Sequence, residues 1–235
     1  LCDGRDLFSL IGRRDISSHC CTTDLCNRPG TTTEVPTTVP TTTSLMYCSK
    51  DIYIAVETFL RHGHETEMDL VRQFLATLSS ALPPGNQISI AKFGSHLDIK
   101  IKFHEAQDPQ KLQSKINDLS LTASTLIGGG QPHVDFQRLG HDLVSEIQHN
   151  HNGARTNVPN SVLIITNNRT DLASHSIASA GMLNSLTSSV TVLNIGSPNP
   201  TLASIYATNS NHEIAVPNYQ GLMRAIPQVV SLLCS

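Results

Sequence analysis

Short apolar runs and longer stretches of helical period take turns along most of the chain. Ile52-Tyr-Ile-Ala-Val56 and Val162-Leu-Ile-Ile165 are continuous runs rich in β-branched residues, as strands buried on both faces should be. Val190-Thr-Val-Leu-Asn-Ile195, stopped by Gly196 and Pro198, and Ile88-Ser-Ile-Ala-Lys-Phe93 read the same way. Between them apolar residues recur at three- and four-residue spacing. Met68, Leu70, Val71, Phe74, Leu75 and Leu78 share one helical face, and Phe136, Leu139, Leu143, Val144 and Ile147 share another. Residues 172–186, 201–207 and 219–233 supply further helices. This alternation predicts an α/β fold: a doubly wound, mostly parallel six-stranded sheet with helices on both faces. One strand breaks the pattern. Ile99-Lys-Ile-Lys-Phe103 alternates apolar residues with lysine, and the link Gly94-Ser95-His96 before it is too short for a parallel crossover. It predicts a single antiparallel edge strand, whose lysines discourage edge-to-edge pairing.

Upstream of residue 47 this periodicity is missing. Residues 31–44 are a Thr/Pro tract that buries too little apolar surface to offset its ordering entropy, so it is expected to stay extended. Such a composition suggests an O-glycosylated, mucin-like stalk; a bare spacer is the alternative. The 235 residues therefore divide into a small disulfide-rich piece (1–30), a linker (31–46) and a large domain (47–235). Charged residues make up 15% against about 25% in an average globular protein. With a formal net charge of -3 and no basic block, nucleic acid is excluded as a partner. No apolar run reaches the roughly 18 residues of a membrane span. The chain opens at Leu1 with neither methionine nor signal peptide, which suggests a processed product or a fragment.

Six cysteines, an even number partly clustered, point to disulfides and an oxidising, extracellular compartment. Neighbouring Cys20 and Cys21 cannot readily bridge each other, and the spacing lacks the two separated ligand pairs of a zinc site. The run Cys20-Cys21-Thr22-Thr23-Asp24-Leu25-Cys26-Asn27 resembles the end of a three-finger domain, the fold of snake toxins and the urokinase receptor. That resemblance implies bridges Cys2–Cys20 and Cys21–Cys26, with Asn27 as the asparagine after the last cysteine. Only about 30 residues of such a module are present, its first fingers being absent, so a truncated module is expected. A disulfide-linked tail of unrelated origin is the alternative. Cys48 and Cys234 then remain, bracketing everything downstream. A bridge between them would stabilise the domain by on the order of 5 kcal/mol in the chain-entropy picture.

The loops after the strands carry a second resemblance. The first strand ends in Glu57 and runs into Thr58-Phe59-Leu60-Arg61. A glycine run, Ile127-Gly128-Gly129-Gly130-Gln131, follows later. Gly153-Ala-Arg-Thr-Asn-Val-Pro leads into the strand that ends at Thr166, followed by Asn167-Asn168-Arg169-Thr170-Asp171. Over residues 48–234 this framework resembles the von Willebrand factor type A domain, which also often carries a terminal bridge and one antiparallel edge strand. The resemblance implies a magnesium site, the metal-ion-dependent adhesion site (MIDAS). Its ligands are Asp-x-Ser-x-Ser after the first strand, a threonine after the glycine run and an aspartate after the fourth strand. The matching positions here hold Glu57, Phe59, Arg61, Gln131 and Asn167. Magnesium demands hard oxygen ligands in near-octahedral array. Phe59 and Arg61 have none to offer, and Arg61 adds positive charge, so a degenerate site with no metal and no cofactor is expected.

Histidine offers a different metal chemistry. His62, His64 and Glu65 follow the first strand, and His133 and Asp135 follow the glycine run; imidazole suits zinc or copper. The preferred reading is that these are solvated loop residues, with His64 and Glu65 entering the first helix. Asn168-Arg169-Thr170 is the only N-glycosylation sequon without a central proline, and a glycan on Asn168 would crowd this same face. No Gly-Lys-Ser/Thr follows the glycine run, no Gly-x-Ser-x-Gly elbow occurs, and no free cysteine is left if all six pair. Enzymatic activity is therefore not expected. The sequence predicts an extracellular, non-enzymatic protein-binding or structural module of the matrix or adhesion type. It would be secreted or part of a larger cell-surface protein, and would meet an extracellular protein partner without a bound magnesium. The alternatives are a metal-dependent adhesion receptor domain or histidine-based metal binder and, third, a hydrolase using surface histidines.

Overall fold

The computed structural model describes residues 48–58, 64–122, 134–167, 176–196 and 200–235, all within the unit Leu45–Ser235. The expected N-terminal module, the linker and the bridges Cys2–Cys20 and Cys21–Cys26 lie outside the described residues. Six strands form one sheet in the order β3-β2-β1-β4-β5-β6. They are β1 (Asp51–Glu57), β2 (Gln87–Phe93), β3 (Leu97–Ile101), β4 (Asn160–Thr166), β5 (Ser189–Ile195) and β6 (Glu213–Val216). All neighbours are parallel except β2 and β3, which run antiparallel. The mostly parallel sheet with one antiparallel edge is the architecture that the apolar runs predict.

Helices cover both faces because successive side chains of a strand point to opposite sides and both sides here are apolar. Ile52, Ile54, Ile90, Leu163 and Leu193 face one layer, built by α1 (Glu65–Ala81), α2 (Pro109–Asn117) and α6 (Leu222–Leu233) through Phe74, Leu78, Ile116 and Val229. Tyr53, Ala55, Val162, Ile164 and Val192 face the other, built by α3 (Phe136–His149), α4 (Ser176–Leu186) and α5 (Pro200–Tyr206) through Leu139, Leu143, Leu183 and Tyr206. On this second side α3 and α4 approach closely at Gly140, where an added Cβ would lie 2.6 Å from Ser179 Oγ.

The edge strand sits two residues earlier than the lysine alternation predicts. It spans Leu97–Ile101, while Phe103 enters a 3₁₀ turn, Phe103–Glu105, and is fully buried. The pairing shows why simple alternation misplaced it. Ile90 pairs with Ile101, but Ala91 pairs with Ile99, leaving Lys100 as an extra residue. This bulge switches faces: Ile101 joins the α1 side, whereas Leu97 packs on the α3 side. Lys100 instead pairs with Asp98 at 2.6 Å.

Two elements were not individually placed from the sequence. Helix α2 buries only Leu112 and Ile116, too few positions for a periodic signal. Its start is nonetheless written locally: Pro109 takes the first turn, and the Asp108 carboxylate accepts from the backbone N–H groups of Gln110 (2.9 Å) and Lys111 (3.2 Å). Strand β6 has four residues. The segment 219–233 divides into a 3₁₀ turn, Tyr219–Gly221, and α6, which contains Pro227. Cys48 and Cys234 form the expected bridge, Cα atoms 5.3 Å apart, joining the segment before β1 to the end of α6.

Candidate functional site

In open α/β sheets ligands collect beyond the carboxyl ends of the strands, where the strand order reverses. Here that point lies between β1 and β4, whose register runs from Asp51↔Asn160 to Val56↔Ile165. One step further on, Glu57 stands level with Thr166. Both are buried, at 5% and 1% exposure. The Glu57 carboxylate turns toward β4: its Oε2 accepts from the Thr166 hydroxyl and, at 3.0 Å, from the backbone N–H of Asn167. Asn167 in turn donates from Nδ2 to the Tyr219 hydroxyl at 3.1 Å, in the turn that opens α6. Thr58 is also buried, and its backbone N–H donates to the Phe93 carbonyl at 2.9 Å.

These contacts bind three elements, β1, β4 and the approach to α6, through one carboxylate and one amide. The space left among Glu57, Thr166, Asn167 and Tyr219 is a cavity of about 10 Å³, about the volume that admits one water. Of the five positions expected to form the degenerate site, Glu57 and Asn167 meet here; Phe59, Arg61 and Gln131 lie outside the described residues, as does the sequon at Asn168.

The histidine alternative fares differently at each described position. His64 precedes α1 and faces Glu67 at 3.5 Å. Glu65 lies in the first turn of α1, where a negative charge suits the positive end of the helix dipole. Asp135 caps α3, accepting from the backbone N–H of Arg138 at 2.8 Å. His62 and His133 lie outside the described residues. Among the described residues no three His, Cys, Asp or Glu side chains are placed to hold a metal ion.

The opposite end of the sheet holds a constellation that the sequence reading did not assemble. Asp51, fully buried, accepts from the backbone N–H of Arg155 and from its Nε at 2.8 Å, with the terminal guanidinium nitrogen 2.6 Å away. The same guanidinium donates to the Lys50 carbonyl at 3.1 Å. Lys50 Nζ donates to the Ser235 main-chain oxygen, and burial pulls its pKa down. A carboxylate opening an apolar run, with an arginine just before the next buried strand, was the available signal. Back at the Glu57 end of the sheet, Lys92 stands level with Val56; held by the Thr122 carbonyl at 3.0 Å, it is pulled below the usual lysine range by burial and then by Lys100, against the opposing pull of Asp98.

Known proteins agree with this architecture. No curated protein sequence matches the chain. Among solved structures it is similar to proximal thread matrix protein 1 from the mussel byssus, at 15% identity and a TM-score of 0.65. The match covers 80% of this chain but 48% of that one, so it spans about half the length of the thread protein. The same protein with a zinc-occupied MIDAS motif gives 14% identity and a TM-score of 0.66. Manganese-loaded Plasmodium vivax TRAP protein gives 14% identity and a TM-score of 0.60, with 80% of this chain and 75% of that one covered. At such identities the likeness is one of fold. No helix among the described residues is long and apolar enough to cross a membrane. The family model of the von Willebrand factor type A domain matches residues 61–227, well over half of the 235, and the chain belongs to that family.

Proposed function

We propose that residues 47–235 form an extracellular, non-enzymatic module that binds protein partners or builds matrix, and that it does so without a bound magnesium. One observation carries the metal-free part: the Glu57 carboxylate is folded inward, its Oε2 accepting from Thr166 and from the backbone of Asn167 at 5% exposure. Two of the carboxylate's lone-pair sites are thereby committed to β4, which leaves it less free to turn toward a cation held above the strands. The residue types at the other positions support the same reading. Phe59 and Arg61 have no ligating oxygen, Gln131 replaces threonine, and Asn167 replaces aspartate with a neutral amide, a donor set that does not fit a hard dication. The structural neighbours, a matrix protein of a byssal thread and the TRAP protein, each have a solved structure with a metal bound, so they support the matrix or adhesion type of module and not its metal-free state. The reading extends to a mucin-like stalk at 31–46, a partial three-finger module at 1–30 and a glycan on Asn168.

The test is a melting-temperature titration of the full chain with magnesium, manganese and zinc. Ligands that bind only the folded state raise stability by mass action, so the proposal expects no saturable rise with any of the three. A saturable rise with magnesium or manganese overturns it in favour of a metal-dependent adhesion receptor, and one with zinc alone in favour of the histidine site.

A further inference from the structure

The two edges of the sheet are finished differently. At β3 the bulge at Lys100 breaks the ladder, and Lys100 pairs with Asp98 at 2.6 Å; bulges and lysines are the usual protection of an exposed edge. At β6 the register with β5 runs without a bulge from Val192↔Glu213 to Ile195↔Val216, and the strand carries no lysine. The Val216 carbonyl faces β5, where it accepts from the Gly196 N–H at 2.8 Å. Main-chain groups of successive strand residues point to opposite sides, so those of Glu213 and Ala215 point away from the sheet. The Glu213 N–H is already used, donating to the Ser210 carbonyl. That leaves the Glu213 carbonyl and both main-chain groups of the exposed Ala215 facing outward, with no strand beyond them among the described residues.

Beside this edge lies an open cavity of about 460 Å³, within the roughly 300–1,000 Å³ of ligand pockets. Ile214 and Val216 of β6 line it, together with Gly221, Arg224, Ala225 and Gln228 at the start and along the flank of α6. Ile214 and Val216 belong to the α1 and α6 layer, so the cavity lies on that side of the edge. Every second side chain of a strand added to β6 would enter it. Arg224 is exposed and has no hydrogen-bond or ion-pair partner among the described residues. It is the only Asp, Glu, Lys or Arg in residues 214–235, and Glu213, by strand alternation, stands on the other face. The cavity therefore holds one cation without a counter-charge.

We infer that the β6 edge takes an extended peptide segment of a protein partner, one that carries an acidic side chain. Outward strand groups are met in full only by another extended backbone, whose main chain supplies affinity while pockets for alternate side chains supply selectivity. Arg224 sets the charge: a carboxylate entering the cavity finds an opposite charge that nothing else engages. A second copy of this chain fits less well, because β6 paired with itself about a two-fold axis would bring Arg224 toward its own counterpart. Size sets the strength. The strand has four residues and Pro217 follows it, a residue with no N–H to donate, so the pairing is short. Each main-chain bond contributes little net, and the expected Kd is on the order of 0.1–1 mM. The inference rests on the reading of this domain as a protein-binding module, and not on its being metal-free.

The probes are N-acetylated, C-amidated peptides Thr-Val-Thr-Xaa-Thr-Val-Thr with Glu, Gln or Lys at the centre, which put valine and the variable residue on one face. Each is titrated to about 5 mM against the isotope-labelled full chain in EDTA and followed by NMR. The Glu peptide should shift the Ala215 amide resonance and slow exchange of that N–H. The Gln peptide should bind about three- to tenfold more weakly, and the Lys peptide more weakly still. Arg224→Gln should bring the Glu peptide to the level of the Gln peptide and leave the Gln peptide where it was. Ala215→Pro removes the outward donor and should weaken all three at least about tenfold. Should that variant lose its melting transition, the exchange of the Ala215 N–H in the parent chain carries the same test. No perturbation at Ala215 by any peptide, equal binding of the Glu and Lys peptides, or binding that survives in folded Ala215→Pro overturns the inference. Each of these sinks the edge site alone, since the metal-free reading stands or falls on the melting titration.

Discussion

Arg155→Met isolates the buried ion pair beneath the sheet. The guanidinium touches Asp51 through Nε at 2.8 Å and a terminal nitrogen at 2.6 Å, and the carboxylate it serves is 0% exposed. Methionine keeps the aliphatic stem but strands the carboxylate, which retains the backbone N–H of residue 155. Removing one partner of a fully buried pair typically costs 3–5 kcal/mol. The Arg155 side chain is 32% exposed, so water reaches part of the vacated space and the low end applies, about 3 kcal/mol. For a domain of this size each kcal/mol moves the midpoint by about 2–4 °C, which gives a fall of roughly 6–12 °C. Asp51→Asn should cost less, because the cation it strands already has one side in water. The double variant Asp51→Asn/Arg155→Met strands no charge and should recover most of the loss, with a coupling of about 2 kcal/mol or more. Urea unfolding followed by circular dichroism measures all three. A loss under 1 kcal/mol for Arg155→Met, or a double variant as unstable as the sum of the singles, would refute the assignment of the pair as buried and coupled.

Four further outcomes follow from other parts of the domain. Gly140→Ala should cost about 1–3 kcal/mol, because the new methyl would sit 2.6 Å from Ser179 Oγ and 3.0 Å from the Tyr206 hydroxyl. Gly181→Ala, in open space, should instead gain up to about 1 kcal/mol from helix propensity, both read from urea midpoints. Replacing Cys48 and Cys234 by serine opens a loop of 186 residues and should lower stability by at most about 5 kcal/mol, measured against the oxidised chain. His212, 7% exposed and bonded at Nδ1 to the Thr191 hydroxyl at 3.0 Å, has its pKa pushed below 6.5 by burial and then by Lys50. The unfolded chain then binds the proton more readily, so this group makes stability fall as pH drops below about 6.5 and contributes no slope well above it. His212→Gln should flatten the melting temperature between about pH 5 and pH 7 relative to the parent, and an unchanged slope would exclude His212 as its source.

What was legible in the sequence was local. The runs at 52–56, 162–165 and 190–195 are buried on both faces and announce themselves without context, as do the faces of α1 and α3. The single antiparallel edge was also readable, because Gly94-Ser95-His96 permits nothing but a hairpin. Its register was not: the bulge at Lys100 sends Ile101 to one core and Leu97 to the other, so apolar alternation gives the wrong frame. Helix α2 escaped for the opposite reason, since its signal lies in Asp108 and Pro109 rather than in apolar period. At the candidate site the residue types could be named one by one, but what they do to each other could not. Glu57 reads in sequence as a carboxylate one methylene longer than aspartate; that it turns to Thr166 is a fact about a strand more than a hundred positions away.

Those distant partners share one cause. Asp51 meets Arg155 across 104 positions, and Glu57 meets Thr166 and Asn167 across 109 and 110. Each pair flanks the same parallel ladder, from Asp51↔Asn160 to Val56↔Ile165. Once that register is set, whatever lies just before β4 must approach the start of β1, and whatever closes β4 must approach its end. A carboxylate stands at each end of β1, and each takes a backbone N–H together with a side-chain donor from the segment flanking β4. The strand pairing is itself fixed by apolar residues, since a slip of one position would turn Ile52, Ile54 and Val56 away from the α1 layer and Tyr53 and Ala55 into it. The apolar pattern thus determines the polar contacts at both ends, although neither contact leaves a local trace in the sequence. It follows that a substitution weakening the ladder, such as Leu163→Ala, should loosen Asp51–Arg155 and Glu57–Thr166 together, whereas Arg155→Met should leave the Glu57 end intact. Hydrogen exchange at the Asn167 amide, whose N–H donates to Glu57 at 3.0 Å, distinguishes the two: faster exchange in Leu163→Ala but not in Arg155→Met is expected, and equal acceleration in both would mean that the two ends are coupled by something other than the ladder.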